Sequence, residues 1–233
     1  MKMKLEATLK RTEAQPGVSP WHARKVVVPV LGVIAAAAVI LGLAASTVIL
    51  LLSTSRGTNT GPQAPPSAVF LRTDTTTQGN WKEKYGSAGF VLANDGQNIP
   101  AYARIVLPSK SSTAVSGTST WGDSIENVRG LQKVTDRSRI AGHWYGFSTF
   151  NIDVDLRDEK THQLSLYLVD WDSDARIENI EVLDAVRQKM LDLRQVSKFT
   201  GGQYLVWNIS GRVIIRAVPV AGANAVISGL FLD

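Results

Sequence analysis

The chain has 233 residues, of which 44% are hydrophobic and 19% charged, and a formal net charge of +5. That length holds one good-sized domain with a real core, or two small ones. With no cysteine and only His22, His143 and His162, disulfide scaffolds, thiol nucleophiles and thiolate zinc sites are excluded, and a histidine-built metal centre has little material.

The basicity is local. Residues 1–25 contain Lys2, Lys4, Lys10, Arg11, Arg24 and Lys25 against Glu6 and Glu13, and the rest of the chain is close to neutral. A nucleic-acid protein carries its basic face on the folded domain, so nucleic acid is not an expected partner. Pro16, Gly17 and Pro20 make the tail read as unstructured. Trp21 is placed to sit at a membrane interface, or is a lone aromatic in that tail.

Residues 26–52 form an uncharged apolar run. As a helix it would be roughly 40 Å long, enough to cross roughly 30 Å of hydrocarbon with some tilt. Pro29 falls in the first turn, where a missing N–H costs least. The run is about twice a signal-peptide core, which favours a retained anchor over a cleaved leader. The basic flank precedes it, so the expectation is a single-pass protein with its N-terminus in the cytoplasm and its C-terminal bulk outside. Ala38, Gly42 and Ser46 fall four apart, a spacing that aligns small residues for helix packing or arises by chance in an Ala-rich span. Residues 53–67, rich in Ser, Thr, Gly and Pro, read as a flexible spacer.

From 68 to 233 the pattern is strands. Phe150, Ile152, Val154 and Leu156 alternate with polar residues, as Leu164, Leu166 and Leu168 do. Further strands are expected at 68–72, 90–92, 102–107, 177–183, 190–196, 204–207, 213–215 and 225–232, and one short helix at 124–132. The expected fold is all-β, an antiparallel β-sandwich of the jelly-roll or galactose-binding-like kind behind one transmembrane helix.

The chain carries no G-x-S-x-G, H-E-x-x-H, Walker or G-x-G-x-x-G motif, so no enzyme is expected. His143 and His162 read as structural. Asp170, Asp172, Asp174, Glu178 and Glu181 occupy positions 1, 3, 5, 9 and 12 of a calcium loop, with Ala175 where the turn wants glycine. Two readings stand: a structural calcium ion held by Asp170, Asp172, Asp174 and Glu181, or plain acidic turn chemistry. Asn208-Ile209-Ser210 is a formal glycosylation acceptor. Among the aromatics, Trp207 reads as core, while Trp81, Tyr85 and Trp121, in Gly-rich loops, are the candidate platforms for a ligand such as a sugar.

Several stretches resemble a C-terminal module of bacterial exported and surface proteins: 74–82 with Tyr85-Gly86, Phe150-x-Ile152-Asp-Val154, 166–172, 202–207 and 224–231. The resemblance implies a galactose-binding-like or carbohydrate-module-like β-sandwich, generally without an assigned function, and brings no catalytic residues. This chain has Glu83 where glycine is usual and Arg212 where histidine is common. Asp74, Asn80, Asp170, Asp172 and Asn224 are also the residue types that tie turns through backbone N–H groups. Three functions follow, in order: a surface-displayed binding or adhesion module, with glycan as the candidate ligand; an envelope assembly protein working through protein contacts; and, last, a hydrolase.

Overall fold

The computed structural model describes residues 64–108 and 116–233. The basic tail, the apolar run with Ala38, Gly42 and Ser46, and spacer residues 53–63 lie outside the described residues. Among the described residues no helix is long and apolar enough to cross a membrane.

The strands are β1 (Ser67–Asp74), β2 (Gly89–Leu92), β3 (Gln97–Asn98), β4 (Ala103–Val106), β5 (Ser116–Thr120), β6 (Leu131–Gln132), β7 (Arg139–Ile140) and β8 (Gly142–Gly146). They continue with β9 (Phe150–Leu156), β10 (Thr161–Leu168), β11 (Ile177–Asp184), β12 (Met190–Ser197), β13 (Gln203–Ser210), β14 (Arg212–Ala221), β15 (Ala225–Ile227) and β16 (Gly229–Leu232). The ladders are antiparallel. A six-stranded sheet runs β1-β13-β10-β16-β2-β3 and a five-stranded sheet β12-β11-β14-β9-β4. A three-stranded sheet, β15-β8-β5, and the small pair β6-β7 complete the described fold.

Alternation explains how the two large sheets meet. Leu164, Leu166, Leu168, Leu205, Trp207 and Ile209 of one face Ile152, Val154, Ile180, Val182, Val213 and Ile215 of the other in a single core. The six-stranded sheet is buried on its outer face as well. There Tyr167, Tyr204, Val206 and Phe231 form a second core with Leu131, Trp81 and Tyr85 from the covering loops. A strand buried on both faces loses its polar alternation, which is why 204–207 reads Tyr-Leu-Val-Trp.

Two expectations need correction. Residues 124–132 are not helical: Ile125 bridges to Arg139, the Asn127 carbonyl accepts from the Gly130 N–H at 2.9 Å, and the chain enters β6 at Leu131. Closing that turn satisfies the backbone locally without a helix. The single strand expected at 225–232 is two. Ser228 breaks it, donating its N–H to the Tyr167 carbonyl at 2.8 Å and accepting from the Ala93 N–H at 3.1 Å, so β15 joins β8 while β16 joins β10 and β2.

Candidate functional site

The expected ligand platforms separate. Trp81 and Tyr85 are core residues, 5% and 4% exposed. The Trp81 indole N–H donates to the Gln132 carbonyl at 2.8 Å, and its ring lies 4.8 Å from Phe90 and 5.3 Å from Phe231. Tyr85 stacks on Tyr204 at 4.2 Å and donates its hydroxyl to Asp74 at 2.8 Å. Both close the outer face of the six-stranded sheet, because the apolar side chains of Tyr204 and Phe231 need a cover more than the loop needs an exposed ring. A cleft of about 480 Å³ opens beside them, but its converging amides, Gly86 and Ser87, already donate to the Asp233 carboxylate at 3.1 and 2.7 Å.

Asp74 is turn chemistry. Its carboxylate accepts from the Thr76 and Thr77 N–H groups and both hydroxyls, as well as from Tyr85. Burial would raise its pKa, but these bonds outweigh it and hold the carboxyl well below the usual range. Glu83 adopts φ 68°, the left-handed conformation that glycine takes freely. Asn208 lies within β13, laddered on both sides by β1 and β10. The Asp158 carboxylate accepts from the His162 Nε2–H at 2.9 Å, and the His162 ring stacks on Tyr102 at 4.1 Å, a structural pair.

The carboxylates of the acidic run do not gather at one point. Among the described residues no group of three metal-ligating side chains converges. Asp170 and Asp172 meet at a cation of the protein itself: the Arg176 Nη1 donates to both, the second at 2.6 Å. Asp170, fully buried, also accepts from the Arg176 N–H at 3.1 Å and from the Ser173 hydroxyl at 2.9 Å. The Arg176 Nε donates to Asn224 at 2.9 Å. Glu181 points elsewhere, within 3.4 Å of Arg216, and Asp174 is solvent-exposed. Gly222, at φ 83°, lets the 222–224 loop reach this cluster, since a Cβ there would lie 2.9 Å from the Arg176 Cα. The planar fork of Arg176 satisfies two carboxylates and an amide at once.

Trp121 is the one expected platform residue that reaches this cluster. It follows β5, and its N–H donates to the Ala141 carbonyl at 2.9 Å, which extends the β5-β8 ladder. Its half-buried ring lies flat on His143, with centroids 3.5 Å apart and planes 19° from parallel, and the Arg176 guanidinium is 5.4 Å from its centre. Desolvation pushes the His143 pKa down to about 4, so the imidazole is neutral near pH 7. Burial raises Asp172, but the Arg176 bond and charge, with the Trp121 indole N–H, hold it ionised below its ordinary value.

The remaining rings were missed in the sequence. On β8, Trp144 enters the core, so His143 and Tyr145 share the outer face. Tyr145 lies 5.9 Å from His143, and Phe147, 61% exposed, lies 5.6 Å from Tyr145. Gly117 opposite makes room for the Tyr145 ring, which a Cβ there would meet at 3.2 Å. The result is an aromatic row of Trp121, Tyr145 and Phe147 running from the end of β5 along β8 to the residue after it, floored by His143, with Asp172 and Arg176 at its Trp121 end. The signal was present in the alternation of His143, Tyr145 and Phe147. Trp171, beside Asp172, is covered by the Arg129 guanidinium at 4.3 Å.

No protein-family model and no curated protein matches the chain. A solved structure of TmCBM61 in complex with beta-1,4-galactotriose is 9% identical, covering 57% of this chain and 88% of that one, with a TM-score of 0.20. A score of that size fixes neither the fold nor a ligand for this chain.

Proposed function

We propose that this chain is a single-pass membrane protein displaying residues 68–233 outside the cytoplasm as a non-catalytic glycan-binding module. The membrane part of the reading rests on the uncharged run at 26–52 and its basic flank. The sandwich is read as galactose-binding-like on the strength of its two facing antiparallel sheets. The observation that carries the binding reading is the aromatic row of Trp121, Tyr145 and Phe147 at the β5–β8 pair. Half-exposed and exposed rings are suited to the apolar faces of pyranose rings, and the exposed Asp172 carboxylate at one end, held by Arg176, is suited to hydroxyls. The test is titration of the full chain, in detergent, against neutral and acidic polysaccharides, with Tyr145→Ala and Phe147→Ala. Both variants should weaken binding about tenfold or more while the exposed Phe147→Ala leaves stability within about 0.5 kcal/mol. Wild-type protein that retains no glycan overturns the reading.

A second reading is favoured by one observation. β1 ends the six-stranded sheet, pairs with β13 on one side, and exposes Val69 and Leu71. An open apolar edge is a template for another strand, as an envelope assembly protein would use. A lysine at Val69 that dissolves an assembly without touching glycan retention would move the function to that edge.

A further inference from the structure

Within the glycan-binding reading, on which this rests, we propose that Asp172 is the specificity-determining residue of the site, selecting neutral sugars with free hydroxyls and rejecting uronic-acid glycans. Asp170 and Asp172 share one arginine but differ in what they have left to offer. Asp170 is 1% exposed and is consumed by Arg176 and Ser173. The Asp172 side chain is 49% exposed; Arg176 donates to its Oδ1, and the Trp121 indole N–H beside it leaves the solvent-facing lone pairs free. An ionised carboxylate only accepts, so its remaining lone pairs call for a donor, which a sugar hydroxyl supplies and a sugar carboxylate does not.

Arg176 does not reverse that preference. It is 4% exposed, its Nη1 and Nε serve Asp170, Asp172, Ser173 and Asn224, and its charge is outnumbered by the two carboxylates it joins. The groups facing this end of the row therefore sum to one negative charge: Asp170, Asp172 and Arg176, with His143 neutral beneath Trp121. A second carboxylate brought against Asp172 is opposed by like charge in a partly desolvated setting.

The test uses two polymers that differ in charge and one methyl group per residue, polygalacturonate and its methyl ester, titrated against the full chain with Asp172→Asn and Tyr145→Ala. The expected result is that wild type retains the ester at least about tenfold better than the acid, a difference of about 1.4 kcal/mol, at moderate salt. Asp172→Asn, which keeps the carbonyl that Arg176 bonds and supplies an amide donor, should gain the acid form and lose the discrimination. Tyr145→Ala should weaken retention of the ester. Wild type that binds the acid as well as the ester, or Asp172→Asn that leaves the ratio unchanged, overturns the assignment while leaving the glycan reading intact. Wild type that binds neither these polymers nor neutral galactan overturns both.

Discussion

The Trp121 ring covers the His143 ring at 3.5 Å, and the Arg176 guanidinium 5.4 Å from the same indole links the three-stranded sheet to the loop that carries Asp172. The indole also excludes water from the imidazole, whose Nδ1 is buried with no partner among the described residues. Trp121→Ala should therefore let the His143 pKa rise from about 4 toward the ordinary value of 6.5. An NMR titration of the imidazole checks it, and an unchanged pKa in the variant would show that Trp121 is not the desolvating group.

Glu178 supplies the opposite slope. It is fully buried, its Oε2 accepts from the Val226 N–H at 2.7 Å, and its Oε1 has no partner. Desolvation raises its pKa to about 8, so the folded protein holds a proton that the unfolded chain releases above about 4.5. Its contribution to stability is fully present below 4.5 and is lost as pH rises through 8. His143 works the other way: its folded pKa is depressed, so its contribution is present above 6.5 and lost as pH falls through 4. Between 4.5 and 6.5 the two slopes offset, which leaves a net fall in stability from 6.5 to 8. Glu178→Gln should flatten that fall, read from denaturant midpoints across the range.

Trp81→Ala is expected to destabilise the domain by about 3–5 kcal/mol, the cost of an aromatic cavity in a packed core. Tyr85→Phe, which gives up only the bond to Asp74, should cost about 1 kcal/mol. Urea unfolding separates them, and a Trp81→Ala variant of wild-type stability would return that residue to the list of ligand platforms.

Removing one partner of a buried charge pair is severe. Asp170→Ala strands the Arg176 guanidinium and should cost about 3–5 kcal/mol. Asp172→Ala, at an exposed position, should cost about 1 kcal/mol or less. The melting temperature should be the same in calcium and in chelator, since Arg176 provides the counter-charge. A calcium-dependent rise lost in Asp172→Ala would restore a metal to this loop.

Glu83→Gly should raise stability by about 1 kcal/mol, because it relieves a left-handed backbone at a residue with a Cβ. Thermal unfolding of the single variant is sufficient to check it.

Strands were legible where their signal is local. Phe150 to Leu156 alternates strictly, and β9 has those very bounds. The burial of Trp207 was legible for the same reason, since Tyr204 to Trp207 is apolar on both faces. β5 escaped because Gly117 and its serines and threonines leave it little apolar content, although Gly117 makes room for the Tyr145 ring. Asp74 and Asn224 were readable as residue types suited to tying turns, and their bonds run to Tyr85 and Arg176.

The sequence by itself determined an all-β, antiparallel domain, because alternation at period two depends only on neighbours along the chain. It placed Trp81, Tyr85 and Trp121 together in one class, since all three sit in similar loops. Only the tertiary structure decided that the first two are core and the third lies beside His143, Asp172 and Arg176. Burial and charge pairing depend on which segments the ladders bring together across some fifty residues of chain, and no local pattern records that distance.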